Sequence, residues 1–179
     1  MITDDFDLKI ASDKPSVDIS RNKKAAPQSV QLSHEQINGA KSVGEAVADS
    51  FIADAKNSDG EEFSDYDLFI QRRLLLSFTA TVGFEQYITD DTLVGIAQKS
   101  FLDRLNSHSP EIYKTSSDTG AFSFYYLAFR RGSEVDRRIG QTFAMLCSHD
   151  GDPIFQELGE ALYCWFSSVV RKAVNKYLK

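Results

Sequence analysis

Apolar side chains recur along most of this chain at the three-and-four spacing of a helix. The first such stretch begins near residue 34. Ile37, Ala40, Val43, Gly44, Val47, Ala48, Phe51, Ile52 and Ala55 fall on one side of a helix, and Glu45, Asp49 and Lys56 on the other. Ser33 and Gln36 stand at capping-box spacing at its start. Asn57-Ser58-Asp59-Gly60 ends it. A second capping box, Ser64-Asp65-Tyr66-Asp67, opens a helix that runs to about Ile88. From Leu74 to Phe84 its apolar residues point in all directions around the axis, as they do at the buried centre of a bundle. A third helix starts at Asp90 or Asp91, carries Leu93, Val94, Ala97, Phe101, Leu102 and Leu105 as its stripe, and closes between Asn106 and Pro110. Ser109 and Pro110 suit the first turn of a short following piece, and Lys114 to Gly120 reads as a loop.

The segment Ala121 to Arg131 suits a buried strand as well as a helix, because Phe122, Phe124, Tyr125, Tyr126 and Phe129 crowd it. Its polar residues arbitrate. Projected as one helix to Ser148, Arg130, Arg131, Glu134, Arg137, Arg138 and Gln141 gather on one arc, and Ala128, Val135, Ile139, Phe143 and Leu146 gather opposite. Asp136 breaks this pattern unless the helix restarts at Ser133 with a Ser-Glu-Val-Asp cap. The expectation is therefore two helices, about 120–131 and 134–148, with a kink between them. His149-Asp150-Gly151-Asp152-Pro153 then punctuates the chain, with Gly151 ending one helix and Asp152 capping the next. The last helix, about 153–177, has a broad apolar face that includes Ile154, Leu158, Ala161, Leu162, Trp165, Phe166 and Val169. Trp165 is expected to be buried there, so that Trp165→Ala would cost about 3–5 kcal/mol.

Together these elements predict an all-α fold, a compact bundle of five or six helices with a disordered N-terminal tail. Charge and aromatic content divide the chain near residue 62. Residues 1–62 carry 7 basic and 12 acidic side chains and two aromatics; residues 63–179 carry 13 and 14, with the other 19 aromatics. The division predicts a disordered acidic tail over 1–32, an amphipathic helix and linker over 33–62, and the helical bundle over 63–179. A chain of 179 residues buries roughly 70% of its unfolded surface and needs no metal or disulfide to fold. Cys147 and Cys164 make no disulfide framework. The acidic start lacks the pattern of a signal peptide. Leu74–Phe84 is about half as long as a bilayer span. These features predict a cytoplasmic protein with no membrane partner. The net charge of −6 disfavours nucleic acid as a partner.

Motifs with known chemistry are absent: no Glu-x-x-His pair, His-Glu-x-x-His, Cys-x-x-Cys, Walker loop, Gly-x-Gly-x-x-Gly or Gly-x-Ser-x-Gly occurs. No catalytic residue, metal ligand or cofactor is therefore assigned. The densest group of ligand types, Cys147 to Asp152, reads as a capped helix-to-helix turn. Cys164 lies off the apolar face, among carboxylates that oppose thiolate formation. His34, His108 and His149 sit at helix ends and turns. The arginine doublets stand out. Arg72-Arg73 interrupts a buried helix and needs partners, for which Glu85 and Glu111 are of suitable type. Arg130, Arg131, Arg137 and Arg138 suggest a positive stripe able to hold acidic segments of a partner.

The expected function is a non-enzymatic protein-interaction or regulatory module, with a protein partner or self-association. An alternative is a small-molecule or anion-binding bundle, possible for an enzyme as well. Tyr113, Phe122, Tyr125, Tyr126 and Phe129 would then line an apolar pocket, and Arg130 or Arg137 would fix an acidic group. A second alternative is a nucleic-acid-binding helical protein, against which Asp90, Asp91 and Asp103 weigh.

Overall fold

The computed structural model describes residues 32–58, 66–117 and 119–178. Residues 1–31 of the acidic tail expected over 1–32, the linker over 59–62 and the Ser64 cap lie outside the described residues. Within these, the chain forms seven α-helices, one 3-10 turn at Thr119–Phe122 and no strand. The helices are α1 (His34–Ser58), α2 (Tyr66–Tyr87), α3 (Asp91–His108), α4 (Pro110–Ser116), α5 (Ser123–Phe129), α6 (Val135–Leu146) and α7 (Pro153–Tyr177). Seven exceed the five or six expected, because the short piece that begins at Pro110 is an α-helix in its own right. The expected loop over Lys114–Gly120 is correspondingly short, since α4 continues to Ser116. The ambiguous aromatic segment is helical. No described helix is long and apolar enough to cross a membrane.

The core follows from α2. Every residue from Arg73 to Ala80 is buried, and so are Val82, Gly83 and Phe84. A helix buried on all sides must be wrapped by others. Around Phe78 the rings of Phe122, Tyr125, Tyr126 and Phe129 close in at 5.1–6.1 Å. Around Phe84 stand Phe101 and, beyond it, Phe51 of α1 and Phe166 of α7. The helix over 34–58 is thus part of the bundle: Val43, Val47 and Phe51 are fully buried. Helix α1 runs alongside α3 in the same direction. Gly44 allows the close approach, since a Cβ there would stand 2.2 Å from the Ala97 carbonyl oxygen. One turn along, Arg104 clasps Asp49 with two hydrogen bonds of 2.8 and 3.2 Å.

Several helix ends match the caps read from sequence. Gln36 N–H donates to Ser33 Oγ while Ser33 N–H donates to Gln36 Oε1. Asp90 accepts from Thr92 and Leu93, and Asp152 accepts from Ile154 ahead of Pro153. Two ends differ. Ser133 caps nothing; α6 begins at Val135 behind a left-handed Glu134 (φ 53°), and Asp136 accepts instead from the Arg137 N–H. The turn through Gly132 (φ 86°) and Glu134 is too sharp for a capping box. Gly151 does not end α6 either. The helix ends in a Schellman motif, with Ser148 N–H bonded to Met145 O, His149 N–H bonded to Ala144 O, and Ser148 itself left-handed (φ 61°). Gly151 (φ 80°) supplies a second reversal, closed by the Asp152 N–H to the His149 carbonyl.

Trp165 is a further correction. It is 42% exposed rather than buried. Helices α1, α2 and α6 cover the arc of α7 that holds Leu162, Phe166, Val170 and Ala173, and the apolar face is wider than that arc. The full core cost of Trp165→Ala therefore does not apply.

Glycine carries no steric penalty in the left-handed position that Ser148 occupies. Ser148→Gly should stabilise the chain by about 1 kcal/mol, seen as a rise of about 2–4 °C in melting temperature. An unchanged or lowered value would show that Ser148 is not strained.

Candidate functional site

The kink between α5 and α6 decides where the arginines go. Helix α5 ends at Phe129, and the chain reverses through Gly132 and Glu134 before α6. The arginines therefore do not line up on one continuous helix. Arg130 stands 5.7 Å over the Tyr126 ring. Arg137 is exposed and 3.6 Å from Glu134, a contact of small energetic weight at the surface. Arg131 and Arg138 come together across the kink. They line a groove of about 320 Å³ between α5 and α6, with Phe124, Leu127, Ala128, Gln141, Thr142, Met145 and Asp150.

This groove is apolar where surfaces usually are not. Phe124 is 51% exposed, Leu127 60% and Met145 42%. The three sit around two guanidinium groups and a single carboxylate. The Arg138 Nε–H donates to the Ala128 carbonyl at 3.3 Å, which holds its guanidinium against the groove floor and ties α6 to α5. Its Nη2 is buried and has no hydrogen-bond partner among the described residues. An anionic group entering the groove would meet this anchored cation and the exposed Arg131.

The aromatic residues singled out by sequence are packed rather than open. Tyr125 is fully buried and stacks on Phe78 at 5.3 Å; burial pushes its hydroxyl pKa far up, with the nearby Cys147 thiol adding to the shift. Tyr126 is half-buried, and its pKa is raised by burial and by Glu85, against a smaller opposing effect of Arg130. Phe122 and Tyr126 do line a cavity of about 270 Å³, together with Phe84, Phe101, Gln98 and Ser116. Tyr113 and Phe129 pack against the core and line neither space.

The other arginine doublet is structural. Arg72 forms a bidentate pair with Asp54 of α1, at 2.6 and 3.0 Å. The partner expected by type, Glu85 or Glu111, is thus replaced by one that the packing of α1 beside α2 supplies. Arg73 lies 3.7 Å over the Phe69 ring, in a cleft that Glu111 also lines. The Cys147–Asp152 turn stacks His149 on Phe155 at 3.7 Å, with Cys147 buried. No group of three or more His, Cys, Asp or Glu side chains converges at metal-binding range among the described residues.

Sequence reasoning missed one polar cleft. Tyr87, Asp136, Tyr163, Cys164, Ser167 and Arg171 line a space of about 280 Å³ between α7 and its neighbours. Tyr87 and Ser167 share a 2.8 Å hydrogen bond there. Burial, then Asp136 and Glu160, raises the Cys164 pKa, so the thiol is a poor nucleophile at neutral pH. Burial, with Tyr87, Cys164 and Asp136, pushes Tyr163 up to about 12. A raised tyrosine pKa means that the folded state favours the neutral phenol. That contribution is complete below the ordinary value of about 10 and is lost as pH rises from there to about 12. The melting temperature should therefore fall across this window, and Tyr163→Phe should flatten the fall. A slope unchanged by the substitution would remove Tyr163 as a source.

No protein-family model matches the chain, and no curated protein or solved structure is significantly similar to it.

Proposed function

We propose that the chain is a non-enzymatic interaction module whose α5/α6 groove holds an amphipathic, acidic segment of a partner protein. The observation that carries this reading is the grouping of exposed Phe124, Leu127 and Met145 around Arg131 and Arg138. Single exposed apolar residues are ordinary; a cluster of three beside one anchored and one exposed cation is the pattern of a recognition surface. Apolar side chains of a partner would enter between Leu127 and Met145. A carboxylate of the same segment would pair with Arg131 or with the remaining donors of Arg138. The absence of sequence motifs for nucleophilic, metal or phosphate chemistry agrees with binding rather than turnover.

The groove also supports a second reading, a small anionic ligand. Arg138 is fixed by the Ala128 carbonyl, and Gln141 and Thr142 stand beside it in the same groove. Such a ligand would be a carboxylate or phosphate with a modest apolar part.

A random-peptide display selection on the full chain separates the two. Under the first reading, enriched peptides combine Asp or Glu with bulky apolar residues, and both Leu127→Glu and Arg131→Glu weaken them at least tenfold. Both positions are exposed, so the substitutions should move the melting temperature by no more than about 2 °C. No enriched peptide, or peptides indifferent to both changes, would sink the first reading. Under the second, phosphorylated or carboxylated metabolites raise the melting temperature, and Arg131→Gln abolishes the rise. No stabilisation by any of them would sink it.

A further inference from the structure

The cavity of about 270 Å³ that Phe122 and Tyr126 line is walled by rings. Phe84, Phe101 and Phe122 are buried there, and Tyr126 is half-buried. Two hydroxyls interrupt the apolar run of α2 at this point. Ser77 and Thr81 stand four residues apart, share one helix face, and both line the cavity. Ser77 Oγ lies 2.9 Å from the Arg73 carbonyl and 2.6 Å from Ser116 Oγ. A carbonyl only accepts, so the single Ser77 proton goes to it, and Ser116 donates to Ser77. Both lone pairs of Ser116 Oγ then remain, on a side chain that lines the cavity and is only 4% exposed. Gln98 adds a neutral amide at the half-buried edge. No Asp, Glu, Lys, Arg or His occurs among the described lining residues. Glu85 and Arg130 stand outside the lining and act on Tyr126 in opposite senses.

We propose that this cavity binds an uncharged aromatic molecule of two fused rings, whose one N–H or O–H donates to Ser116 Oγ. Size sets the ring count. An apolar cavity of roughly 150 Å³ holds benzene, so about 270 Å³ has room for a second ring and a polar atom. The walls set the flat shape, because aromatic rings pack well edge-on or offset against one another. The lining sets the charge. An ion would lose its hydration in this space and find no opposite charge among the described lining residues. The hydroxyl pair sets the polar group: Ser116 has acceptors to offer, and a ligand donor would use them where little water reaches. An empty apolar space also forfeits packing contacts that a ligand restores. The inference is independent of the α5/α6 groove. The two spaces share no lining residue, and the groove calls for an anion where the cavity excludes one.

Indole serves as the probe, with indene as its isostere lacking the N–H and indoleacetate as its charged relative. In calorimetric titration of the full chain, indole should bind saturably, one molecule per chain, and about fivefold or more tightly than indene. A tenfold excess of indoleacetate should leave the indole affinity unchanged, wherever else on the chain that anion binds. Backbone amide shifts in heteronuclear NMR should change with indole around Ser77, Thr81, Gln98, Ser116 and Phe122. Ser116→Ala should erase the preference for indole over indene and leave indene binding as it was. Ser77 keeps its bond to the Arg73 carbonyl in that variant, and the circular dichroism spectrum checks its fold. Absence of saturable indole binding overturns the proposal. So do shifts centred on Leu127 and Met145 or on Ile154 and Trp165, displacement of indole by indoleacetate, or equal affinity for indole and indene in the unaltered chain. The last three readouts need no variant. A preference for indole that survives Ser116→Ala overturns the role of the Ser116 hydroxyl.

Discussion

A helix that is apolar on every side dictates the architecture. From Leu74 to Phe84, α2 has no solvent face to offer, so the rest of the chain has to enclose it. Helices α3, α4 and α7 and the 3-10 turn pack on it, and the aromatic α5 meets it through the rings around Phe78. Enclosure also settles the place of α1. Phe51 completes the ring cluster that begins at Phe84 and Phe101, and Asp54 meets the Arg72 that α2 carries at its flank. Bidentate geometry in a half-buried setting makes that pair one of the stronger ion pairs of the fold. Replacing one partner would leave a poorly solvated charge at the α1/α2 contact.

The same demand for enclosure produces the groove. Five aromatic residues between Phe122 and Phe129 cannot all face α2 from a helix seven residues long. Phe122, Tyr125, Tyr126 and Phe129 take the inner positions around Phe78, which leaves Phe124 and Leu127 outside. The chain must then turn back to send α6 along α7, and it does so through two left-handed residues, one of them a non-glycine, Glu134. Strain of that kind costs about 1–3 kcal/mol and persists where the surroundings fix it. The Arg138 bond to the Ala128 carbonyl is one such fixture. A kink forced by packing thus brings Arg131 and Arg138 to one exposed apolar surface.

Helical periodicity carried most of this fold, because each stripe reports its own burial locally. The caps at Ser33, Asp90 and Asp152 were legible for the same reason: cap and target lie within three residues. What was not legible depends on geometry between elements. The partner of Arg72 is eighteen residues away on another helix. The left-handed Ser148 breaks the preference for glycine, so Gly151, three residues on, drew the helix end to itself. The arginine stripe presumed a continuous axis through Gly132, and a single kink redistributed its four members. Of the six binding residues read from the sequence, Arg131 and Arg138 share the groove, Tyr125 lies in the core, Arg130 rests over Tyr126, and Arg137 sits with Glu134.

Trp165 shows how a periodic pattern can be right about the face and wrong about its cover. A helix presents an apolar arc whose width the sequence sets, whereas the arc that neighbours cover is set by how many helices fit around it. Helix α7 has α1, α2 and α6 against it, with Gly159 letting Phe143 of α6 come close. That close crossing draws α6 toward one flank and leaves Ile154 and Trp165 on the other exposed among the described residues. An Ile, a Leu and a Trp in that gap represent apolar area that folding alone does not remove from water. Each is worth on the order of 1.5–3 kcal/mol when fully covered. Part of that free energy therefore stays unrealised while Ile154 and Trp165 remain exposed.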